Sequence, residues 1–387
     1  MKKYIFLLPF IFIMTGCYNY RELNDLAIIS GVSISKSDNI YNITVEVVNP
    51  KKEQDTSSGK EPDYVIYEGY GNSMQEAFRN IVKESPQKLY GAQIDILIID
   101  EETARDGVSE ILDFFARDPE VRSEFYVVIS KNSDALKVIS PLVNLSSKNI
   151  ISSLKSTNTY IGSVNLVTYN ELLNDFINPH KEIALPSIEV VGNENIGETN
   201  ENIEKTTSSA NNVISNMCIF KDNKMLDYLT YEESLGYNII RGNTKTVLIR
   251  NEYGDDEFIV NEIIDSKTEI KPNLKKKEIT ITVSGTASIS EVNKKVNLES
   301  NKEIKKIEKD LNKKIEELME TTILNTNNKY NSDIYGFEDL FYKENPKYYK
   351  KLIKEYDIDF LNNITYKVKS NIKIIEKGNL NGGIYAK

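Results

Sequence analysis

The 387-residue chain has no tryptophan, one histidine and two cysteines, and it carries 48 Lys and Arg against 58 Asp and Glu. Each shortage excludes something. With His180 as the only imidazole, a serine triad would have to be built on that residue, and no Gly-x-Ser-x-Gly elbow shows it a serine. One histidine and two thiols fall short of the usual zinc ligand sets. Two cysteines allow at most one disulfide, so packed cores rather than covalent staples must stabilise the fold. The acidic balance, −10 at pH 7, repels nucleic-acid phosphates and anionic headgroups alike. It argues against nucleic-acid binding and leaves any membrane attachment to another device. Long apolar runs are missing too: beyond Met14 none approaches the roughly twenty residues of a membrane-spanning helix.

What is present begins at the N-terminus. Lys2 and Lys3 precede the apolar run from Tyr4 to Met14, and Thr15-Gly16-Cys17 follows. A basic start, a short apolar stretch and small residues make a secretory signal. Met14-Thr15-Gly16-Cys17 resembles the bacterial lipobox, in which the cysteine is diacylated and becomes the first mature residue. That reading assigns residues 1–16 to a cleaved lipoprotein signal peptide and lipidation to Cys17. It leaves 371 residues with 46 basic and 58 acidic side chains, a net charge of −12. Two acyl chains supply the stable anchoring that one does not. With Cys17 lipidated, Cys218 has no disulfide partner; it lies in the apolar run from Val213 to Phe220 and reads as a buried, inert thiol.

The rest reads as α+β, three mixed α/β domains of mixed sheets with packed helices. Strands at 26–35 and 40–48, turned by Lys36-Ser37-Asp38-Asn39, and a third at 64–70 precede a helix capped by Ser73 with Glu76. A nearly all-apolar strand at 94–99, a helix at 106–116 that stops near Pro119 and a strand at 125–129 complete an N-terminal domain, residues 17–138. A small middle domain, 139–191, holds a helix opened by Thr168 and Glu171 and the extended piece from Ala184 to Val191. Residues 192–212, rich in Asn, Glu, Thr and Ser, are expected to form a polar linker. The C-terminal domain, 213–387, is β-rich, with a hairpin at 213–229 turned by Asp222-Asn223 and strand runs at 244–250, 257–264, 266–271 and 277–292. Ser300 and Glu303 open a long helix, 300–324, with the apolar stripe Ile304, Ile307, Leu311, Ile315 and Leu318. Asn345-Pro346 starts a short helix to Tyr356, and a Lys-rich edge strand runs from Ile364 to Ile375.

Polar motifs with catalytic spacing are incomplete. Ser152-x-x-Lys155 has the spacing of the nucleophile and base of penicillin-binding proteins, and Ser37-Asp38-Asn39 matches their second motif. Their order is reversed, however, and no Lys-Thr-Gly occurs. Gly236 to Gly242 is followed by Asn243-Thr244, where a phosphate loop needs Lys and Ser or Thr. His180, beside Pro179 at a helix end, reads as a surface or capping residue. The sequence therefore assigns no catalytic residue, no metal ligand, no ligand-binding residue, and no cofactor beyond the diacylglycerol on Cys17.

A resemblance goes further. Arg21-Glu22-Leu23-Asn24-Asp25-Leu26-Ala27-Ile28-Ile29-Ser30-Gly31, Leu112-Asp113-Phe114-Phe115-Ala116-Arg117-Asp118-Pro119-Glu120 and Ala184 to Ile188 resemble, in order, stretches of the spore germinant receptor C subunits, the Ger(x)C lipoproteins. So do Ile219 to Lys224 with Glu233, Gly236 and Tyr237, and the late motif from Tyr330 to Phe337. Departures are Tyr18-Asn19 where the family has Trp-Asp, Glu338 where it has glycine, and Tyr356 for a late tryptophan. The resemblance implies three α+β domains, a place on the outer face of the spore inner membrane, and partnership with two membrane-embedded subunits, an A type and a transporter-like B type. It implies a non-catalytic, lipid-anchored subunit of a nutrient germinant receptor. The alternative is an extracytoplasmic solute-binding lipoprotein that captures the germinant across a cleft, with residues 192–212 as its hinge.

Overall fold

The computed structural model describes residues 25–48, 64–141, 146–199, 201–204, 206–356 and 360–378; the signal peptide and Cys17 lie outside them. Strands β1 (Leu26–Ser37) and β2 (Ile40–Val48) form a hairpin. Its turn residues Asp38 and Asn39 both have positive φ, 51° and 63°, the tight turn whose twist suits antiparallel strands. β3 (Tyr64–Gly71) extends β2, and α1 (Met74–Ile81) folds back over it, started by the Ser73 hydroxyl, which accepts from Glu76 N. β4 (Lys88–Tyr90) and β5 (Ile96–Ile99) lie parallel to β1. All four side chains of β5 are buried, as expected of a central strand covered on both faces.

α2 (Glu101–Asp106) and α3 (Ser109–Arg117) lead to β6 (Tyr126–Ser130). The helix expected over 106–116 is α3, begun three residues later; α2 precedes that range and is separated from α3 at Gly107 (φ 140°), where the Asn223 side chain approaches within 3.4 Å of a notional Cβ. α4 (Ala135–Ile139), α5 (Ser146–Tyr160) and α6 (Tyr169–Ile177) precede β7 (Ala184–Gly192). Residues expected to form a linker instead hold α7 (Glu194–Gly197), α8 (Glu201–Glu204) and the start of β8 (Ala210–Lys221), which pairs antiparallel with β7 and then with β9 (Lys224–Tyr228). Asn202 makes this order possible: its Nδ2 donates to Ala210 O and its Oδ1 accepts from Ala210 N. The result is one nine-stranded sheet, β3-β2-β1-β5-β6-β7-β8-β9 with β4 beside β1. It crosses the boundaries read from the sequence, because β7, β8 and β9 find their hydrogen-bond partners in the N-terminal sheet.

α9 (Tyr231–Arg241) follows, opened by a complete Thr230–Glu233 capping box. A second sheet, β10-β11-β12-β13, is built from β10 (Val247–Gly254), β11 (Glu257–Asn273), β12 (Glu278–Asn293) and, after α10 (Asn301–Asn325), α11 (Phe337–Glu344) and α12 (Pro346–Tyr356), β13 (Thr365–Glu376). The two runs read over 257–271 are one strand with an irregularity between Ile263 and Asp265. β13 runs parallel to β12, so the chain must cross over, and α10 to α12 are that crossover. The α10 stripe buries Ile304, Ile307, Leu311 and Ile315 as expected and continues through Met319 and Ile323, while Leu318 is only partly buried beside it.

One face of the first sheet packs on α1, α3 and α6. Its other face packs on α4, α5 and α9 and continues without interruption into the core of the second sheet. A buried carboxylate ties two distant parts together: Glu46 on β2 accepts from Ser30 Oγ (2.5 Å), Ser147 Oγ (2.5 Å) and Ser147 N (3.2 Å) at the start of α5. Burial raises its pKa, opposed by those hydrogen bonds.

Candidate functional site

The residues singled out from the sequence do not assemble into a reaction centre. Ser152 Oγ donates to Lys148 O, within its own helix, while Lys155 Nζ lies over the Tyr126 ring; the two have separate partners. Ser37-Asp38-Asn39 ends β1 and makes the hairpin turn. Gly236 and Gly242 belong to α9 and its left-handed C-cap (φ 70°), not to a phosphate loop. Cys218 is fully buried, its thiol directed to Leu185 O and pushed well up by burial. His180 is neither a surface nor a capping residue: its side chain is 17% exposed and stacks on Tyr342 (4.5 Å between centroids) and Tyr349 (4.9 Å). Among the described residues, no group of three or more His, Cys, Asp and Glu is placed to hold a metal ion.

Several motif residues instead converge on a junction between the two sheets. The β8–β9 turn is gripped from both sides. Val108 N donates to Asn223 O (3.0 Å), Asn223 Nδ2 to Ser109 Oγ (2.6 Å), and Asp222 N to Glu182 Oε2 (2.8 Å). From the C-terminal side, Lys221 Nζ donates to Asn331 O (2.6 Å), Ser332 Oγ to Phe220 O (2.5 Å), and Glu182 N to Asp333 O (2.9 Å). Asp333 turns the chain into α11 by accepting from Gly336 N (2.9 Å) and Glu338 N (2.7 Å). Its burial pushes its pKa up to about 6, against the pull of those backbone donors. Beneath, Tyr335 stacks on Phe337 and lies near Tyr237 of α9. Gly236 permits close packing there, since a Cβ would fall 2.1 Å from Thr322 Oγ1 on α10.

Two open grooves flank this frame. One, of about 690 Å3, lies at the carboxyl ends of β1, β5 and β6 and is lined by Lys36, Asp100, Glu101, Arg105, Asn132 and Asp134 among others. The connections after β5 and β6 leave to opposite faces, α3 on one and α4 on the other, so a crevice opens between these strands where α/β sheets commonly take ligands. Burial opposes ionisation of Glu101, but hydrogen bonds from Tyr228 OH (2.6 Å) and Arg105 (2.8 Å) outweigh it and hold its carboxyl below the usual range. The other groove, about 710 Å3, runs between α1 and α3, with Tyr41, Met74 and Phe114 and the exposed ion pair Asp113–Arg117 (2.7 Å) along it. Neither groove sets a nucleophile beside a histidine base. Sequence reasoning missed both, because their walls come from segments far apart in the chain.

Fold and junction together define an α+β protein in which several of the residues singled out from the sequence serve a structural interlock. Residues 19–190 match the family domain described as spore germination protein N-terminal domain, and residues 215–378 match that described as spore germination B3/GerAC like, C-terminal. The chain belongs to this family of spore germinant receptor C subunits. It is 25% identical over 393 residues to spore germination protein KC of Bacillus subtilis (strain 168), covering 98% of this chain and 96% of that one. Spore germination protein GerQC of Bacillus cereus is 24% identical over 351 residues, 88% of this chain and 90% of that protein. The crystal structure of the GerBC protein shares the fold, with a TM-score of 0.51 and 17% identity over 89% of this chain and 97% of that one.

Proposed function

We propose that this protein is the non-catalytic, lipid-anchored subunit of a nutrient germinant receptor, held at the outer face of the spore inner membrane by acyl chains on Cys17 and assembled there with A-type and B-type membrane subunits. The observation that carries the reading is the match of both family domains in order across nearly the whole chain. It is supported by the use of motif residues in a rigid junction, which suits a body that presents surfaces to partners. No helix among the described residues is long and apolar enough to cross a membrane, so attachment through the lipid is the simplest route. A tag after Lys387 and pull-down from detergent-solubilised spore inner membrane should recover two multi-span subunits; recovery of this chain alone would refute assembly. Cys17→Ala should release the protein from membranes, and normal retention with normal germination would refute the anchor.

One observation favours solute capture as a second reading, namely the groove at the carboxyl ends of β1, β5 and β6. A hinge through residues 192–212 has no support, since β7 and β8 on either side are hydrogen-bonded neighbours. Calorimetry with amino acids, sugars and nucleosides separates the readings: saturable heat would favour capture.

A further inference from the structure

The chain is acidic overall, yet one surface is strongly basic. On α12, Lys347, Lys350, Lys351 and Lys354 recur at i, i+3, i+4 and i+7 and are all exposed, while Tyr349 and Leu352 are buried on the opposite face. None of the four makes an ion pair among the described residues. The β11–β12 turn adds exposed Lys275 and Lys276 and is fixed beside the helix. Lys277 Nζ reaches Glu355 (2.8 Å), and Tyr348 OH donates to Leu274 O (2.9 Å). The nearby acids are Glu355, already engaged by Lys277; Glu338, which accepts from Tyr349 OH; Asp339, paired with Lys343; and Glu344 and Glu278 on the adjoining elements; Asp357 and Asp359 follow in the sequence, outside the described residues. Salt screens charges beyond about 8 Å, so an approaching surface meets these lysines and not the distant acidic majority.

The location of the helix matters as much as its charge. β1, β5, β6 and β7 are parallel, so Leu26 and Ala184 begin at the same end of the first sheet. His180, just before β7, stacks on Tyr342 of α11 and Tyr349 of α12. The basic helix is therefore held at the end of the sheet where the described chain starts, at Asp25. Seven residues separate Cys17 from Asp25, and the steps from one to the other reach about 28 Å at full extension. We propose that the exposed face of α12, with Lys275 and Lys276, docks on anionic lipid headgroups and orients the body against the membrane. Its orientation argument rests on the Cys17 anchor; the docking chemistry stands without it.

The test uses the full chain carrying Cys17→Ala, sedimented with vesicles of phosphatidylcholine alone and of phosphatidylcholine with phosphatidylglycerol. The expected result is binding to the anionic vesicles only, lost as salt rises. A lysine near an anionic surface is worth about a fivefold factor in partitioning. Lys347→Gln, Lys350→Gln, Lys351→Gln and Lys354→Gln combined should therefore weaken binding about six-hundredfold, at an unchanged melting temperature. The control is Lys302→Gln, Lys305→Gln, Lys306→Gln and Lys309→Gln, the same charge change on exposed lysines of α10. These lie by Glu308, which meets the far end of β13 at Ile374, and the control should bind normally. Equal binding to both vesicles, equal loss in the control, or undiminished binding of the α12 variant would each overturn the proposal. Loss of membrane subunits from the pull-down with vesicle binding intact would overturn it too, marking the helix as a protein interface. Failure of the anchor reading itself would appear separately, in the membrane retention of the chain with and without Cys17→Ala.

Discussion

Asn312→Ala should destabilise the C-terminal sheet far more than a half-buried polar-to-alanine change on a helix ordinarily does. α10 lies along the free edge of β13. Four helical residues rise about 6 Å and two strand residues about 6.6 Å, so side chains at i, i+4 and i+8 can meet alternate amides of a strand. Glu308, Asn312 and Glu316 do so, accepting from Ile374 N (3.0 Å), Ile372 N (2.7 Å) and Ser370 N (2.8 Å). Asn312 also donates from Nδ2 to Ile372 O (2.9 Å) and accepts from Ser370 Oγ (2.6 Å), so its amide stands in for the peptide of a missing fifth strand. Alanine strands both backbone groups of Ile372. At about 1–3 kcal/mol per buried unpaired group, reduced by partial access of water, the loss is about 2–4 kcal/mol. Better helix propensity returns about 0.6 kcal/mol, leaving about 1.5–3.5 kcal/mol. Asn312→Asp keeps the acceptor but turns a carboxylate oxygen toward Ile372 O, so its penalty should ease in acid. Urea unfolding gives the stability change, and hydrogen exchange at Ile372 N localises it. A loss under about 0.5 kcal/mol with unchanged exchange at Ile372 would refute the edge-capping account.

Other sites make separate predictions. Gly236→Ala gains helix propensity of up to about 1 kcal/mol but drives a Cβ to 2.1 Å from Thr322 Oγ1, an overpacking cost of about 1–3 kcal/mol. Net destabilisation that Thr322→Ala partly rescues in a double-mutant cycle is expected, and a stabilised single variant would show the helices are not in close contact. Asp333, raised to about 6 by burial, holds a proton in the folded state between about pH 4 and 6 that the unfolded chain has lost, so its contribution to stability falls as pH rises through that window. Asn at this position should remove that slope and cost about 1–3 kcal/mol, because Gly336 N or Glu338 N then faces an amide NH2. Melting temperatures followed across this range for both proteins would expose an unchanged slope.

Local signals in the sequence were read correctly where the chemistry that sets an element lies within it. The Asp38-Asn39 turn, the Thr168–Glu171 box and the α10 stripe each depend on neighbours a few residues away. α5 was missed because its buried face includes Ser146, Ser147 and Asn158, so no apolar period marks it; Glu46, a hundred and one residues earlier, satisfies its first turn. α9 does carry a readable Thr230–Glu233 box, but Gly236 within it weakens the helical pattern. The break at Gly107 answers to Asn223, and the order of the supposed linker answers to Asn202 and to β7. The whole-chain charge hides local order in the same way: a net of −10 describes an average, whereas a partner meets one face. What decides partners is how folding sorts the charge, and here it gathers lysines on α12, at the end of the first sheet where the described chain begins.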